Sequence, residues 1–105
     1  MASWERVCST KDLEPLEARS FEVQGQRIAL VRTEDGFHAV SDRCSHEDFS
    51  LSEGEVYPSS CEIECAKHGS IFSLITGEPL CLPATKPVQV FEVRVEGDDV
   101  MVMIP

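Results

Sequence analysis

Residues 44–46 read Cys-Ser-His and residues 65–69 read Cys-Ala-Lys-His-Gly, and these two stretches decide the fold of this 105-residue chain. Each stretch places a thiol and an imidazole two or three residues apart. At that spacing both side chains can reach one bound ion or cluster, and Gly69 lets the backbone approach where a side chain would collide. We therefore expect Cys44, His46, Cys65 and His68 to form one metal site.

The chain around these pairs is irregular. Between Ser41 and Pro87 it is interrupted every several residues by a glycine or a proline, namely Gly54, Pro58, Gly69, Gly77, Pro79 and Pro83. About 45 residues of this character inside a compact domain need something to hold them in place. A bound ion or cluster is the best candidate, because all four expected ligands lie in this segment.

Two chemistries fit two cysteines with two histidines. A structural zinc site would be tetrahedral and closed, and would only stabilise the fold. A [2Fe–2S] centre would hold one iron by two thiolates and the other by two imidazoles. Common zinc fingers pair cysteine with cysteine and histidine with histidine, whereas each stretch here supplies one of each. Mixed pairs favour the two-iron cluster, because each loop then reaches both irons.

The two ligand stretches resemble the Rieske family, and the resemblance runs from about Trp4 to Ile104. Outside the ligand stretches it is carried by residues 51–55, Phe72, residues 76–78 and residues 81–84, which look like the small ferredoxins of bacterial aromatic-ring dioxygenase systems. The resemblance implies an all-β Rieske fold with an antiparallel β-sandwich base. A small cluster-binding subdomain of two ligand loops, about residues 42–85, would be inserted into a single domain over residues 1–105.

The resemblance also implies the ligand set. Cys44 and Cys65 would bind the inner iron of one [2Fe–2S] cluster per chain, and His46 and His68 the outer iron near the surface. Pro83 would belong to a third loop covering the cluster.

The chain departs from the respiratory and photosynthetic branch of the family. That branch carries an extra, disulfide-bonded cysteine in each ligand stretch, where this chain has Phe49 and Lys67. It also has a tyrosine hydroxyl donating to a cluster thiolate where this chain has Phe72, although Ser70 is kept. A missing hydrogen bond and the nearby charges of residues 47–48 lower a reduction potential. We expect a potential of about −150 mV, at the low end for Rieske centres.

Outside the irregular segment, hydrophobic residues alternate with period two, which is typical of strands. Hairpins are predicted at Gln24-Gly25-Gln26 and at Glu96-Gly97-Asp98, with Val88–Val95 as one strand before the second. Thr10–Leu16 is the one stretch with helical character, capped by Ser9 or Thr10 and ended by Pro15.

Composition excludes several classes. Nine basic against 19 acidic residues give a net charge of −10 with no basic cluster, so nucleic acid and anionic membranes are poor partners. No apolar run approaches the roughly 20 residues of a membrane span, and no secretory signal is seen. We expect a cytoplasmic, monomeric protein that is not an enzyme.

The expected function is that of a soluble one-electron carrier between a flavin-dependent reductase and a terminal oxygenase such as an aromatic-ring dioxygenase. The exposed histidines, with Phe49 and Leu51 as apolar contacts, would form the exit face, and the acidic residues would steer a basic partner. The alternatives are a Rieske ferredoxin serving iron–sulfur cluster assembly, a small subunit of a larger reductase, and a structural zinc module.

The remaining reactive side chains are interpreted as structural. Cys8, Cys61 and Cys81 are expected to be buried small hydrophobic residues, since the ligand set is complete without them. His38 has no ligand partner at a suitable spacing. Trp4 and Tyr57 are expected to serve packing rather than electron relay.

Overall fold

A computed structural model of the chain describes residues 3–34, 36–42, 50–57, 60–65, 69–80 and 87–104. Within these residues the structure is built from strands and two short 3-10 turns, with no α-helix. The strands are β1 (Ser3–Ser9), β2 (Ala18–Val23), β3 (Gln26–Thr33), β4 (Gly36–Ser41), β5 (Glu55–Tyr57), β6 (Glu62–Glu64), β7 (Ile71–Ser73), β8 (Val90–Phe91), β9 (Val93–Glu96) and β10 (Asp99–Ile104).

These strands form three antiparallel sheets, which confirms the predicted all-β class. The first sheet has the order β1-β10-β9, the second β2-β3-β4-β8, and the third β5-β6-β7. The third sheet lies wholly inside the predicted subdomain of residues 42–85. The single-domain organisation over residues 1–105 stays a prediction.

The second sheet lies between the other two, because its central strand β3 is apolar on both faces. Ile28 and Leu30 belong to a core shared with the first sheet. Ala29 and Val31 belong to a second core shared with the third sheet. All four side chains are fully buried. An unbroken apolar run in a strand is typical of burial on both faces, and here it joins three layers.

Both predicted hairpins are present. The first turn contains only Gln24 and Gly25, both with positive φ (49° and 79°), as the two-residue turn that matches strand twist requires. Gln26 already belongs to β3. In the second hairpin Gly97 has φ 63° between β9 and β10.

Three sequence-based expectations need correction. β1 was not predicted, and it pairs along its length with β10. The predicted strand Val88–Val95 is divided at Glu92: β8 pairs with β4 in the second sheet, whereas β9 pairs with β10 in the first. The predicted helix over Thr10–Leu16 is a single 3-10 turn at Thr10–Asp12, closed by a capping box with Ser9.

No helix among the described residues is long and apolar enough to cross a membrane.

Because β3 is buried on both faces, truncating one of its core side chains should lower the free energy of unfolding strongly. Leu30→Ala should lower the free energy of unfolding by about 2–5 kcal/mol, because a buried side chain is replaced by a cavity. The midpoint of thermal unfolding, followed by far-ultraviolet circular dichroism, should fall by about 10 °C or more. Val95→Ala, at a position 47% exposed, is the matched control and should shift the midpoint very little. Equal midpoints for the two variants would contradict this account of the core.

Candidate metal centre

One of the four predicted ligands, Cys65, lies within the described residues. Cys44, His46 and His68 lie outside them, in segments 43–49 and 66–68. Within the described part of the chain, no group of three or more His, Cys, Asp or Glu side chains is placed to hold a metal ion. The described part of the predicted centre therefore consists of Cys65 and of the residues that flank segments 43–49 and 66–68.

Cys65 directly follows β6 and is fully buried. Because strand side chains alternate, Ile63 and Cys65 face the core while Glu62 and Glu64 face away from it. The thiol lies in the core between the second and third sheets, together with Leu51, Ile63 and Phe72. A buried thiolate needs a compensating charge, and an iron or zinc ion supplies one. The position of Cys65 thus fits a metal ligand shielded from water.

The second ligand loop is closed by two backbone hydrogen bonds. The Cys65 N–H donates to the Ser70 carbonyl oxygen (2.7 Å), and the Gly69 N–H donates to the Cys65 carbonyl oxygen (2.8 Å). Gly69 has φ 72°, a conformation that side chains other than glycine's rarely adopt. Cys65 and Gly69, which flank segment 66–68, are therefore joined to each other between β6 and β7.

The first ligand loop is closed in the same way. The Leu51 N–H donates to the Asp42 carbonyl oxygen (2.6 Å), so the described residues on the two sides of segment 43–49 are also joined. The Asp42 N–H in turn donates to the Arg27 carbonyl oxygen (3.1 Å). These bonds attach the base of the loop to the beginning of β3.

The Asp42 side chain reinforces this closure. Its carboxylate is 1% exposed and accepts hydrogen bonds from the Ser52 N–H (2.9 Å) and from Arg27 Nη2 (3.1 Å). The same Arg27 nitrogen donates to Ser50 Oγ (2.8 Å). A buried carboxylate is stable only when it is paired, and here its partners lie on both sides of the loop. The sequence analysis missed these contacts of Asp42.

The two loop bases are packed against each other. Gly54, which ends the 3-10 turn at Leu51–Glu53, lies so close to β6 that an added Cβ would come within 1.7 Å of the Glu64 carbonyl oxygen. Only glycine allows this approach, immediately before Cys65 along β6. The described residues that flank segments 43–49 and 66–68 therefore form one packed base, which fits the prediction that Cys44, His46, Cys65 and His68 bind a single group.

Some of the residues predicted to lie near the centre are described in the structure, and others are not. Phe72 and Ser70 are both fully buried. Leu51 was predicted to be an exposed contact for a partner, and this is wrong: it is fully buried in the core beside Cys65. Phe49, the other predicted contact, lies outside the described residues, as do residues 47–48 and Pro83.

The outer face of the third sheet is acidic. Glu55 and Glu64 are directly opposed in register, and the Tyr57 hydroxyl contacts both carboxylates, with Glu55 Oε2 at 2.9 Å. Hydrogen bonds to Glu64 and then to Glu55 raise the pKa of Tyr57 above its usual value. The phenol therefore keeps its proton at neutral pH and lies between two side chains that would otherwise repel each other. Tyr57 was expected to serve packing, and this polar contact was missed.

The non-ligand cysteines differ from one another. Cys8 is buried, as predicted, and desolvation raises the pKa of its thiol. Cys81 lies outside the described residues. Cys61 was predicted to be buried, but it is only partly buried, and its Sγ lies 3.4 Å from His38 Nε2. Sequence reasoning missed this pair because 22 residues separate its members along the chain.

Comparison with known proteins decides between the two chemistries. The Rieske [2Fe–2S] domain family matches residues 3–92. This chain belongs to the Rieske [2Fe–2S] family. It is 40% identical over 97 residues to the ferredoxin component of biphenyl 2,3-dioxygenase from Rhodococcus jostii, covering 92% of this chain and 89% of the relative.

Solved structures of Rieske proteins agree. The ferredoxin of carbazole 1,9a-dioxygenase from Nocardioides aromaticivorans superposes with a TM-score of 0.91 at 35% identity, over 95% of this chain and 96% of that one. A ferredoxin in the complex of reduced oxygenase and oxidized ferredoxin of carbazole 1,9a-dioxygenase superposes with a TM-score of 0.86 at 39% identity, over 94% of this chain and 91% of that one. The cofactor of this Rieske chain is a [2Fe–2S] cluster of the Rieske type, and the zinc alternative is set aside.

The close approach at Gly54 predicts that this position is needed for cluster retention. In Gly54→Ala the new methyl group displaces the backbone before Cys65, so purified protein should carry less than half of the wild-type iron and sulfide per chain. Gly97→Ala is the control: it also replaces a glycine, of positive φ, but nothing lies within 4 Å of its added Cβ. That variant should keep its cluster, with only a small loss of stability. Full iron content in Gly54→Ala would show that the loop bases tolerate separation.

Proposed function

We propose that this Rieske protein is the ferredoxin of an aromatic-ring dioxygenase system, and that it passes single electrons from a flavin-dependent reductase to a terminal oxygenase. It acts as a soluble, cytoplasmic monomer and is not itself an enzyme. The observation that carries the proposal is its similarity over 94% of its length to a ferredoxin captured with its oxygenase. The 40% identity to a biphenyl dioxygenase ferredoxin supports the same function.

The proposed ligands are Cys44, His46, Cys65 and His68, with no catalytic residue. When bound, the cluster supplies one reversible electron. The chain's own residues keep Cys65 out of water and hold each loop base closed through backbone hydrogen bonds. A rigid base suits electron transfer. Ligands that keep their positions when the cluster gains or loses an electron keep the reorganisation energy small.

The described surface near Cys65 supports a basic partner. Glu53 and Glu55 are exposed at the end of the third sheet closest to Cys65, and Glu64 lies opposite Glu55. By contrast, the buried Asp42 is already paired with Arg27. Exposed surface carboxylates of this kind raise association rates with a positively charged protein, and salt screens the effect.

The direct test is electron delivery. Dithionite-reduced protein should be reoxidised on mixing with the terminal oxygenase of the biphenyl 2,3-dioxygenase system, in stopped flow under anaerobic conditions, with that system's own ferredoxin as positive control. Oxygenases of the 3-phenylpropionate and carbazole systems complete the panel. A holoprotein that reduces none of the three oxygenases, while each native ferredoxin does, would contradict the proposal.

Charge variants sharpen that test. Neutralising Glu53→Gln with Glu55→Gln should slow the second-order transfer rate and weaken its dependence on ionic strength. Glu34→Gln with Asp98→Asn makes the same change in net charge near the opposite end of β3 and is the matched control. Equal slowing by both pairs would show that only the net charge of −10 matters, and not an acidic docking face.

The reduction potential gives a separate prediction. Phe72 is fully buried beside Cys65 in the core and offers no hydroxyl to the cluster thiolates. Without that hydrogen bond the extra electron is less stabilised, so a redox titration followed by visible absorption should give about −150 mV. A value near +300 mV, the upper end of the Rieske range, would contradict this interpretation.

A further inference from the structure

A carboxylate lies directly beside the second ligand loop. Glu64 is the last residue of β6 and immediately precedes Cys65. Its side chain faces away from the core that contains the Cys65 thiol, because side chains alternate along a strand. A Cβ added to Gly69 would lie 3.5 Å from Glu64 Oε2, an ordinary contact distance. The carboxylate therefore lies beside Gly69, the residue that follows the predicted ligand His68 in the chain.

The other oxygen of this carboxylate is held by a tyrosine. The Tyr57 hydroxyl donates to Glu64 Oε1 and also contacts Glu55 Oε2 at 2.9 Å. Tyr57 and Glu55 both belong to β5, which pairs with β6. Glu55 lies directly opposite Glu64, and like charges in opposed positions repel each other. The hydroxyl between them keeps the Glu64 carboxylate in place, whereas repulsion alone would move it towards water.

The charge of Glu64 is not cancelled by a neighbouring cation. Among the residues that the structure describes, the ion pairs of Arg6, Arg19, Arg27 and Arg94 are all made with other carboxylates. Glu64 is also partly buried, and salt screens a partly buried charge less than an exposed one. Its field is therefore effective at the ligand loop beside it.

We propose that Tyr57 and Glu64 form a positioned negative charge that lowers the reduction potential of the Rieske cluster. Reduction adds one electron, supplied by the reductant, and breaks no bond. A fixed negative charge nearby opposes that electron, so the oxidised state is favoured and the potential falls. Glu64 acts through space beside the loop and Tyr57 acts through Glu64, so both are positioning residues and not catalytic ones.

This effect differs from that of Phe72, which withholds a hydrogen bond from the cluster thiolates. The Glu64 charge lies on the other face of β6 and changes the potential without touching a thiolate. A lower potential increases the driving force for passing the electron onward. That consequence for an oxygenase rests on the proposed function, whereas the effect on the potential does not.

The test is a redox titration of cluster-loaded variants, followed by visible absorption. Glu64→Gln removes the charge and keeps an oxygen that can accept the Tyr57 hydroxyl, so the potential should rise. Glu62→Gln is the matched control, since it makes the same charge change on the same face of β6 but lies farther from Cys65. Its rise should be about half that of Glu64→Gln or less, because Coulomb energy falls with distance.

Tyr57→Phe tests the hydroxyl. The potential should rise again, but by less than in Glu64→Gln, because the released carboxylate remains on the protein. In a Glu64→Gln background the same change should cause no further rise, since no carboxylate is then held beside Gly69. A merely structural role for Tyr57 would give the same effect in both backgrounds. Iron and sulfide are assayed on each sample, and in a variant with low cluster content the potential is measured on the loaded fraction by EPR.

Either of two results would overturn the proposal. One is a potential for cluster-loaded Glu64→Gln that does not exceed that of Glu62→Gln. The other is a shift caused by Tyr57→Phe that is as large in the Glu64→Gln background as in the wild type. Neither measurement involves an oxygenase, so a failure of electron delivery would leave this proposal untouched, and the reverse also holds.

Discussion

Strand β3 is buried on both of its faces, and the rest of the structure is arranged around that constraint. Its apolar residues 28–31 contribute alternately to the two cores, so three sheets are packed as layers with β3 in the middle. Neither outer sheet is large: each has three strands, and strands in so small a sheet are stable only against a covered apolar face. The third sheet, which carries Cys65, depends on Ala29 and Val31 for that face.

The same strand also fixes the ligand loops. At its beginning, Arg27 accepts the Asp42 N–H at its carbonyl oxygen and pairs with the Asp42 carboxylate through its guanidinium. Asp42 in turn closes the first loop onto Leu51, which packs beside Cys65. A continuous set of contacts therefore runs from the central strand to both loop bases. These contacts fit the proposal that a long, breaker-rich segment presents its four predicted ligands to one cluster.

Much of this was predictable from the sequence. The two mixed Cys/His stretches favoured a two-iron cluster over zinc. Local turn chemistry located both hairpins, since Gly25 and Gly97 supply positive φ. The resemblance, and not the periodicity, supplied the Rieske fold and the roles of individual ligands.

What could not be predicted depends on contacts between distant residues. The alternation of residues along the strand cannot show that the chain changes sheets at Glu92, because the same period of two continues on both sides of that residue. Leu51 looks like a surface residue in a polar segment, but its turn lies against β2 and β3 and its side chain belongs to the core between the second and third sheets. The Asp42–Arg27 and Cys61–His38 pairs join residues 15 and 23 positions apart, and no spacing rule connects them.

The central claim is that one packed base holds two loops around a Rieske cluster. The most direct test is low-temperature EPR of anaerobically purified protein before and after dithionite, with iron, sulfide and zinc assayed on the same sample. The account predicts a red-brown protein with two irons and two sulfides per chain, as a [2Fe–2S] centre requires, and a rhombic signal of low average g only after reduction. A colourless protein holding one zinc ion, silent in both states, would contradict it.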